Sequence, residues 1–317
     1  MVAGASPLGL PPFGLPFMNA KSSSPGRRPQ WLVPVLLVVP AFVVVFAIAA
    51  FSALSLFQLS TAKLTFGEPF RNAEAVGLEN YQWLLTNEHS TFWGSVRVTA
   101  LYLLGTLIPE LLIGLAIALL LNRKMRGNSL FTAVLIIPIV LMPSMVGLIG
   151  RLYFSYDGLV NYFFEALTGI RHNWYGKDLA LLAVILVDIW EWTPFFILIL
   201  LAGLQTLPVE PFEAARVDGA SRWQSFSLIT LPLMLPLILT TLILRFMDVL
   251  RLFDVIFVMF AGGPGTTTTT LPLYVYRTTL VQRDVGRGSA ASIMLIIIIV
   301  SLTVILIKMR ERIKFEA

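Results

Sequence analysis

The 317-residue sequence predicts an all-α polytopic membrane protein with six transmembrane helices, and three observations carry that prediction. Apolar residues make up 57% of the chain and mean hydropathy is +0.82, well above the composition of a soluble domain. Apolar runs of roughly 20 residues, enough to cross about 30 Å of hydrocarbon, recur along the chain. Lys and Arg cluster in alternate connections between those runs.

Residues 1–30 are rich in Pro, Gly and Ser and close on Arg27-Arg28-Pro29, which reads as a disordered tail. The charges come too late, and the apolar run after them is too long, for a secretory signal, so that run is a retained anchor. The spans are expected at about 32–57, 96–121, 130–153, 179–203, 231–260 and 289–307, the fifth being longer than a straight crossing needs. Residues 60–94 and 154–178 are long enough for short helices or surface pads, and Ala261–Thr270 reads as a flexible turn. The chain thus divides into a tail (1–30), a first span with its loop (31–94), a core (95–308) and a second tail (309–317).

Lys21, Arg27 and Arg28 precede the first span, and Arg123, Lys124 and Arg126 follow the second. Arg216 and Arg222 follow the fourth, and Lys308, Arg310, Arg312 and Lys314 follow the sixth. Six spans with both termini cytoplasmic put all four clusters inside. The opposite loops carry Lys63, Arg71, Arg171 and Lys177, diluted by Glu68, Glu74, Glu79, Glu88, Asp157, Glu165 and Asp178. The net charge of +5 is therefore a membrane-topology signal and points to no nucleic-acid partner.

Several chemistries are excluded. The chain has no cysteine, which removes disulfides, thiol catalysis and thiolate metal sites. Its two histidines, His89 and His172, lie in separate polar connections, so no metal site is expected. No catalytic residue is assigned either. No Gly-x-x-x-x-Gly-Lys-Ser/Thr phosphate loop occurs, so any ATP and Mg belong to a partner.

The stretch Glu213–Pro232 is polar, lies between two apolar runs and has its own folding signals. Pro208 and Pro211 suit the start of a helix, and Glu210 and Glu213 suit its positive end. Gly219 stops that helix, and Ser221 with Gln224 forms a capping box for a second short one. The expectation is helix, glycine corner, helix, over residues 207–230 and outside the bilayer.

The order Glu213-Ala214-Ala215, Asp218-Gly219-Ala220, Trp223, Phe226, Ile229-Thr230-Leu231-Pro232 resembles the EAA loop of ABC-importer membrane subunits. Gly262-Gly263-Pro264, the threonine run, Leu271, Tyr274, Tyr276 and Gly288-Ser289-Ala290-Ala291 resemble the larger subunit of sugar-importer permease pairs. The likeness covers about 95–308 and is to the maltose and glycerol-3-phosphate permease class. It implies the type I ABC importer permease fold in a bacterial or archaeal inner membrane. It implies as partners a second permease subunit, an ABC ATPase homodimer and an extracytoplasmic substrate-binding protein. Glu213, Ala214, Ala215, Asp218, Gly219 and Ala220 would then dock on the ATPase, with Trp223, Phe226 and Leu228 holding the second helix against the membrane domain.

Ionisable residues inside spans face a bundle interior or a watery path. Asp188, Glu191, Trp192 and Phe195 share one stripe of the fourth span, beside Pro194. Arg245, Asp248, Arg251 and Asp254 form a slanted ridge on the fifth, bordered by Val249 and Leu252. Glu110 and Arg151 add charge toward the outer ends of the second and third spans. Asp248 can pair with Arg245 or Arg251 along the helix, or the arginines can meet Asp188 and Glu191 across the bundle. Two readings stay open: salt bridges that fix helix register, or a polar path in which Trp192 and Phe195 offer flat faces to a sugar ring.

Counting from Pro194 and from Gly262-Gly263-Pro264, the resemblance implies a substrate path of Asp188, Glu191, Trp192, Phe195, Arg245, Asp248 and Val249. The chain departs from the maltose type by carrying charges there. That admits a sugar, an oligosaccharide, a derivative with a charged substituent, or a polyol or glycerol-phosphate-type substrate. An ion-coupled carrier would also need intramembrane acids, but its inverted repeats are not seen. Two acids on one turn of one helix do not flank a bond as a glycosidase pair does.

Overall fold

The computed structural model of the chain describes residues 32–123 and 127–316. The tail 1–30 and the charges Lys21, Arg27, Arg28, Lys124 and Arg126 lie outside the described residues. The helix α1 (Leu32–Ser60) opens the chain, and residues through Ser52 form a unit of their own. A two-residue hairpin follows, β1 (Ala62–Lys63) antiparallel to β2 (Glu74–Ala75), then α2 (Glu79–Thr86) and α3 (Phe92–Leu121). Next come α4 (Asn128–Val140), α5 (Pro143–Tyr153), α6 (Leu159–Thr168) and α7 (Ala180–Gln205). The corner consists of α8 (Glu210–Val217) and α9 (Arg222–Ser225). A π-helical turn, Phe226–Thr230, leads into α10 (Leu231–Val249). The chain closes with α11 (Asp254–Phe260), α12 (Leu271–Tyr276) and α13 (Val285–Glu316).

Among the described residues five helices are long and apolar enough to cross a membrane: Leu37–Ser60, Phe92–Leu121, Ala180–Gln205, Arg222–Val249 and Val285–Glu311. The third expected span is not one helix. It is broken between α4 and α5 and bent by 97°. Leu141 and Met142 are extended there (ψ 147° and 137°), because the ring of Pro143 pushes the residue before it out of the helical region. The bent pair nevertheless crosses. The end of α3 and the corner line one cavity, so they share a side, and α7 starts on the other side and ends at the corner. Counted as one span, α4 and α5 join those ends and bring the candidate spans among the described residues to six.

The fifth span also differs from expectation. It begins earlier, at Arg222, and ends at Val249. Arg251 N–H bonds Asp248 O and Leu252 N–H bonds Val249 O, short-range contacts that tighten and finish the helix. Residues 254–260 form the separate helix α11, packed on α5, so Asp254 leaves the expected ridge. The threonine run is not a loose turn: Thr268, Thr269 and Thr270 are buried. Thr268 and Thr269 hydroxyls donate to Gly263 O and Gly262 O at 2.8 and 2.9 Å, and Leu271 N–H donates to Thr99 Oγ1 of α3 at 2.9 Å.

The core centres on α7. Gly114 on α3 lets the two backbones close, since a Cβ there would stand 2.4 Å from Cβ of Phe196. One apolar cluster on the corner side joins Ala118, Phe196, Leu200, Met234 and Ile238. A second joins Tyr102, Val146, Val184, Val187, Val249, Ile256 and Met259.

Candidate functional site

The corner forms as its residues dictate. Pro211 sits in the first turn of α8 and Gly219 has φ +76°, the left-handed conformation that ends the helix. Ala220 N–H returns to Ala215 O at 2.9 Å, satisfying an end carbonyl. Both halves of the capping box are made: Gln224 N–H to Ser221 Oγ at 3.2 Å, and Ser221 N–H to Gln224 Oε1 at 2.7 Å. Glu213, Ala214, Asp218 and Gly219 are exposed, and Ala215 and Ala220 half-buried.

Two expectations about the corner need correction. The second helix is not a separate unit but the first turn of the fifth span, entered through the π turn. Pro232 has no N–H for the carbonyl four residues back, and the chain bridges the defect with the wider bond from Leu231 N–H to Phe226 O. Leu228, 72% exposed, does not hold it against the other spans, and Trp223 is 73% exposed. Phe226 and Trp223 line a cavity of about 920 Å³ with Phe212, Leu115 and the guanidinium-bearing Arg123, Arg216 and Arg222.

Arg245 of α10 is fully buried and meets acids from two other spans. Its Nε donates to Glu110 Oε2 and its Nη2 to Glu110 Oε1, both at 2.9 Å. Nη2 also donates to Asp188 Oδ2 at 2.5 Å, and the guanidinium lies 4.4 Å from the ring centre of Trp192. Glu191 is buried beside them. Parallel charge-assisted bonds of this kind fix geometry as well as attract, so Arg245 ties α3, α7 and α10 together. Tyr102 Oη, Asp188 Oδ1, Glu191 Oε2, Trp192 Nε1 and Arg245 Nη1 make no hydrogen bond among the described residues.

The remaining path residues separate. Asp248 pairs with Arg251 at 2.7 Å, with side chains 40% and 64% exposed, instead of with Arg245. Val249 is buried in the apolar cluster around Tyr102. Phe195 touches Trp192 edge-on at 6.1 Å but packs toward the corner-side cluster. Glu110 is the residue that sequence reasoning misplaced. It stands just past the middle of α3, not at its outer end, and is wholly buried. Its signal was a lone acid deep inside an apolar run. Among the described residues no group of three or more His, Asp or Glu is arranged to hold a metal ion.

Residues 110–313 match the family described as the binding-protein-dependent transport system inner membrane component, and so take in Arg245, its two acids and the whole corner. The chain belongs to that family. It is 35% identical to the trehalose/maltose transport system permease protein MalF of Thermococcus litoralis, across 86% of this chain and 92% of that one. It is 36% identical to the sulfoquinovosyl glycerol transport system permease protein SmoG of Agrobacterium fabrum, across 87% and 90%. In fold it matches a chain of the bacterial alginate ABC transporter solved with an alginate-bound periplasmic protein. That match has a TM-score of 0.76 at 21% identity, over 89% of this chain and 95% of that one. This family member is thus a multi-pass ABC-importer membrane subunit with the type I importer fold.

Proposed function

We propose that the chain forms half of the translocation path of an ATP-driven sugar importer. Its partners are a second permease subunit, an ABC ATPase homodimer bearing ATP and Mg, and an extracytoplasmic binding protein. The observation that carries the reading is the continuous connection from an exposed corner to a buried polar cluster through α7 and α10. The names of the similar proteins support a sugar as cargo.

The corner faces the cytoplasm in this reading. Arg123, Arg216, Arg222, Lys308 and Arg310 fall on its side of the membrane. Three of the arginines near the far side are engaged: Arg283 bonds Phe66 O at 2.9 Å, Arg277 bonds Thr269 Oγ1 at 3.2 Å and Arg287 pairs with Asp284 at 3.4 Å. Both termini then lie in the cytoplasm. Glu213, Ala214, Ala215, Asp218, Gly219 and Ala220 supply the ATPase contact.

Arg245 is neutralised by Glu110 and Asp188, so it is a register pin and not a receptor for an anionic substituent. That removes Arg245 as a reason to expect a charged cargo and favours a neutral sugar or oligosaccharide. When α7 and α10 part, Trp192 and Phe195 offer ring faces, and Glu191 and the free edge of Asp188 offer hydroxyl acceptors. Asp248 and Arg251 line the exposed side of the same route, while Val249 serves packing.

The test is uptake by the reconstituted transporter of a panel of neutral and acidic sugars. Uptake of a neutral sugar that stops when the ATPase subunit loses its catalytic residue is expected. Uptake that persists without ATP hydrolysis, or a panel in which only acidic sugars move, overturns the reading.

A further inference from the structure

The helix α6, between the fourth-span start and the end of α5, has two unlike faces. One is clamped to its own loop. Asn161 is buried there; its amide donates to His172 O at 2.9 Å and Tyr156 O at 3.0 Å, and its oxygen accepts from His172 N–H and Trp174 Nε1. Phe164 meets Trp174 edge-on at 5.6 Å, and Arg171 bonds Glu165 and Asp157 at 2.8 Å each. Those contacts tie the loop's nearest charges to one another. The other face is a stripe of exposed apolar side chains, Leu159, Tyr162, Phe163 and Leu167, at helical spacing. Leu167 is 85% exposed and Tyr162 65%.

We infer that α6 lies in the membrane–water interface on the side opposite the corner, with this stripe turned into the boundary of headgroups and acyl chains. Three observations select lipid over protein as the occupant. The stripe continues an apolar surface that the preceding span already shows, through exposed Leu148, Leu152 and Tyr153 of α5. It carries no charge, whereas a binding protein that docks and leaves each cycle needs a more polar contact. Its aromatic and aliphatic make-up, ended by polar groups pinned away from it, is that of an interfacial helix. The connection 154–158 is also too short to lift α6 far from the end of α5.

The chain lacks cysteine, so single labels are clean. Leu167→Cys and, as the control on the clamped side, Thr168→Cys are labelled with an environment-sensitive fluorophore. The complete transporter is reconstituted in phosphatidylcholine–phosphatidylglycerol vesicles. Phosphatidylcholine spin-labelled near the headgroup should quench the Leu167→Cys label roughly threefold more than the Thr168→Cys label, and aqueous iodide should show the reverse order. Tyr162→Cys repeats the measurement should Leu167→Cys fail to assemble. Iodide quenching of the stripe labels, or shielding from both quenchers, which would mean cover by another subunit, overturns the inference. So does lipid quenching that disappears when the binding protein is added.

Discussion

Arg245 and Glu110 lie 135 residues apart in sequence, yet share two parallel hydrogen bonds of 2.9 Å inside the bundle. Removing the guanidinium alone leaves Glu110 and Asp188 buried without a counter-charge. Arg245→Ala should cost about 3–5 kcal/mol, read as a fall in thermal midpoint or in resistance to denaturing detergent. Replacing Arg245, Glu110 and Asp188 together by apolar residues of similar volume should restore most of that loss. A triple variant as unstable as the single one would show that the triad does more than neutralise itself.

Asp248 and Arg251 predict a different outcome. Their pair is half exposed, and such pairs contribute about 0–1 kcal/mol. Asp248→Asn and Arg251→Gln should leave stability almost unchanged while raising the apparent KM for transport or changing substrate choice. Normal transport in both variants would remove them from the path.

Gly219 separates backbone strain from crowding, because a Cβ built there has no atom within 4 Å. Gly219→Val should strain the φ +76° corner by about 1–2 kcal/mol, abolishing transport-coupled ATP hydrolysis while the chain still assembles. Gly219→Asn, which tolerates that conformation, should retain most coupling. Equal losses in the two would point to the missing space of a partner surface instead.

Gly114 gives the opposite case, one of crowding without strain. Gly114→Val should cost about 1–3 kcal/mol by forcing α3 away from α7. Adding Phe196→Ala should not rescue it, because the closest atoms are Cβ and backbone, which alanine keeps. Thermal midpoints of the single and double variants decide this.

The capping box is the mildest element. Ser221→Ala should weaken the first turn of the fifth span by about 1 kcal/mol, seen as faster amide exchange over Arg222–Ser225 with the rest of the helix unchanged.

The spans were legible because hydrocarbon thickness demands long apolar runs whatever the tertiary arrangement, and the corner because glycine, proline and caps act within a few residues. The break before Pro143 was not, since a proline suits a helix start as well as an interior kink and hydropathy records no direction. The pairing of Arg245 was legible in part: a meeting with Asp188 across the bundle was one of two alternatives, beside the helical neighbour Asp248, and only the packing of α3 against α7 adds Glu110. The outward aim of Leu228 goes with the π turn, whose cause, Pro232, is written in the sequence but whose rotation of the side chains is not.

That π turn stands only a few residues from the capped corner, on a helix that runs unbroken from Arg222 to Val249. At 1.5 Å per residue, Arg245 sits about 35 Å along this shaft from Arg222. A swing of roughly 10° at the Ser221 end therefore sweeps the guanidinium through about 6 Å, farther than any of its hydrogen bonds can stretch. In the proposed function the shaft would act as a crank whose throw is set by its length. In the proposed transport cycle a triad that breaks would make the parting of Arg245 from its acids the least work the corner delivers, whereas a triad that travels as a block would carry α3 and α7 with the shaft.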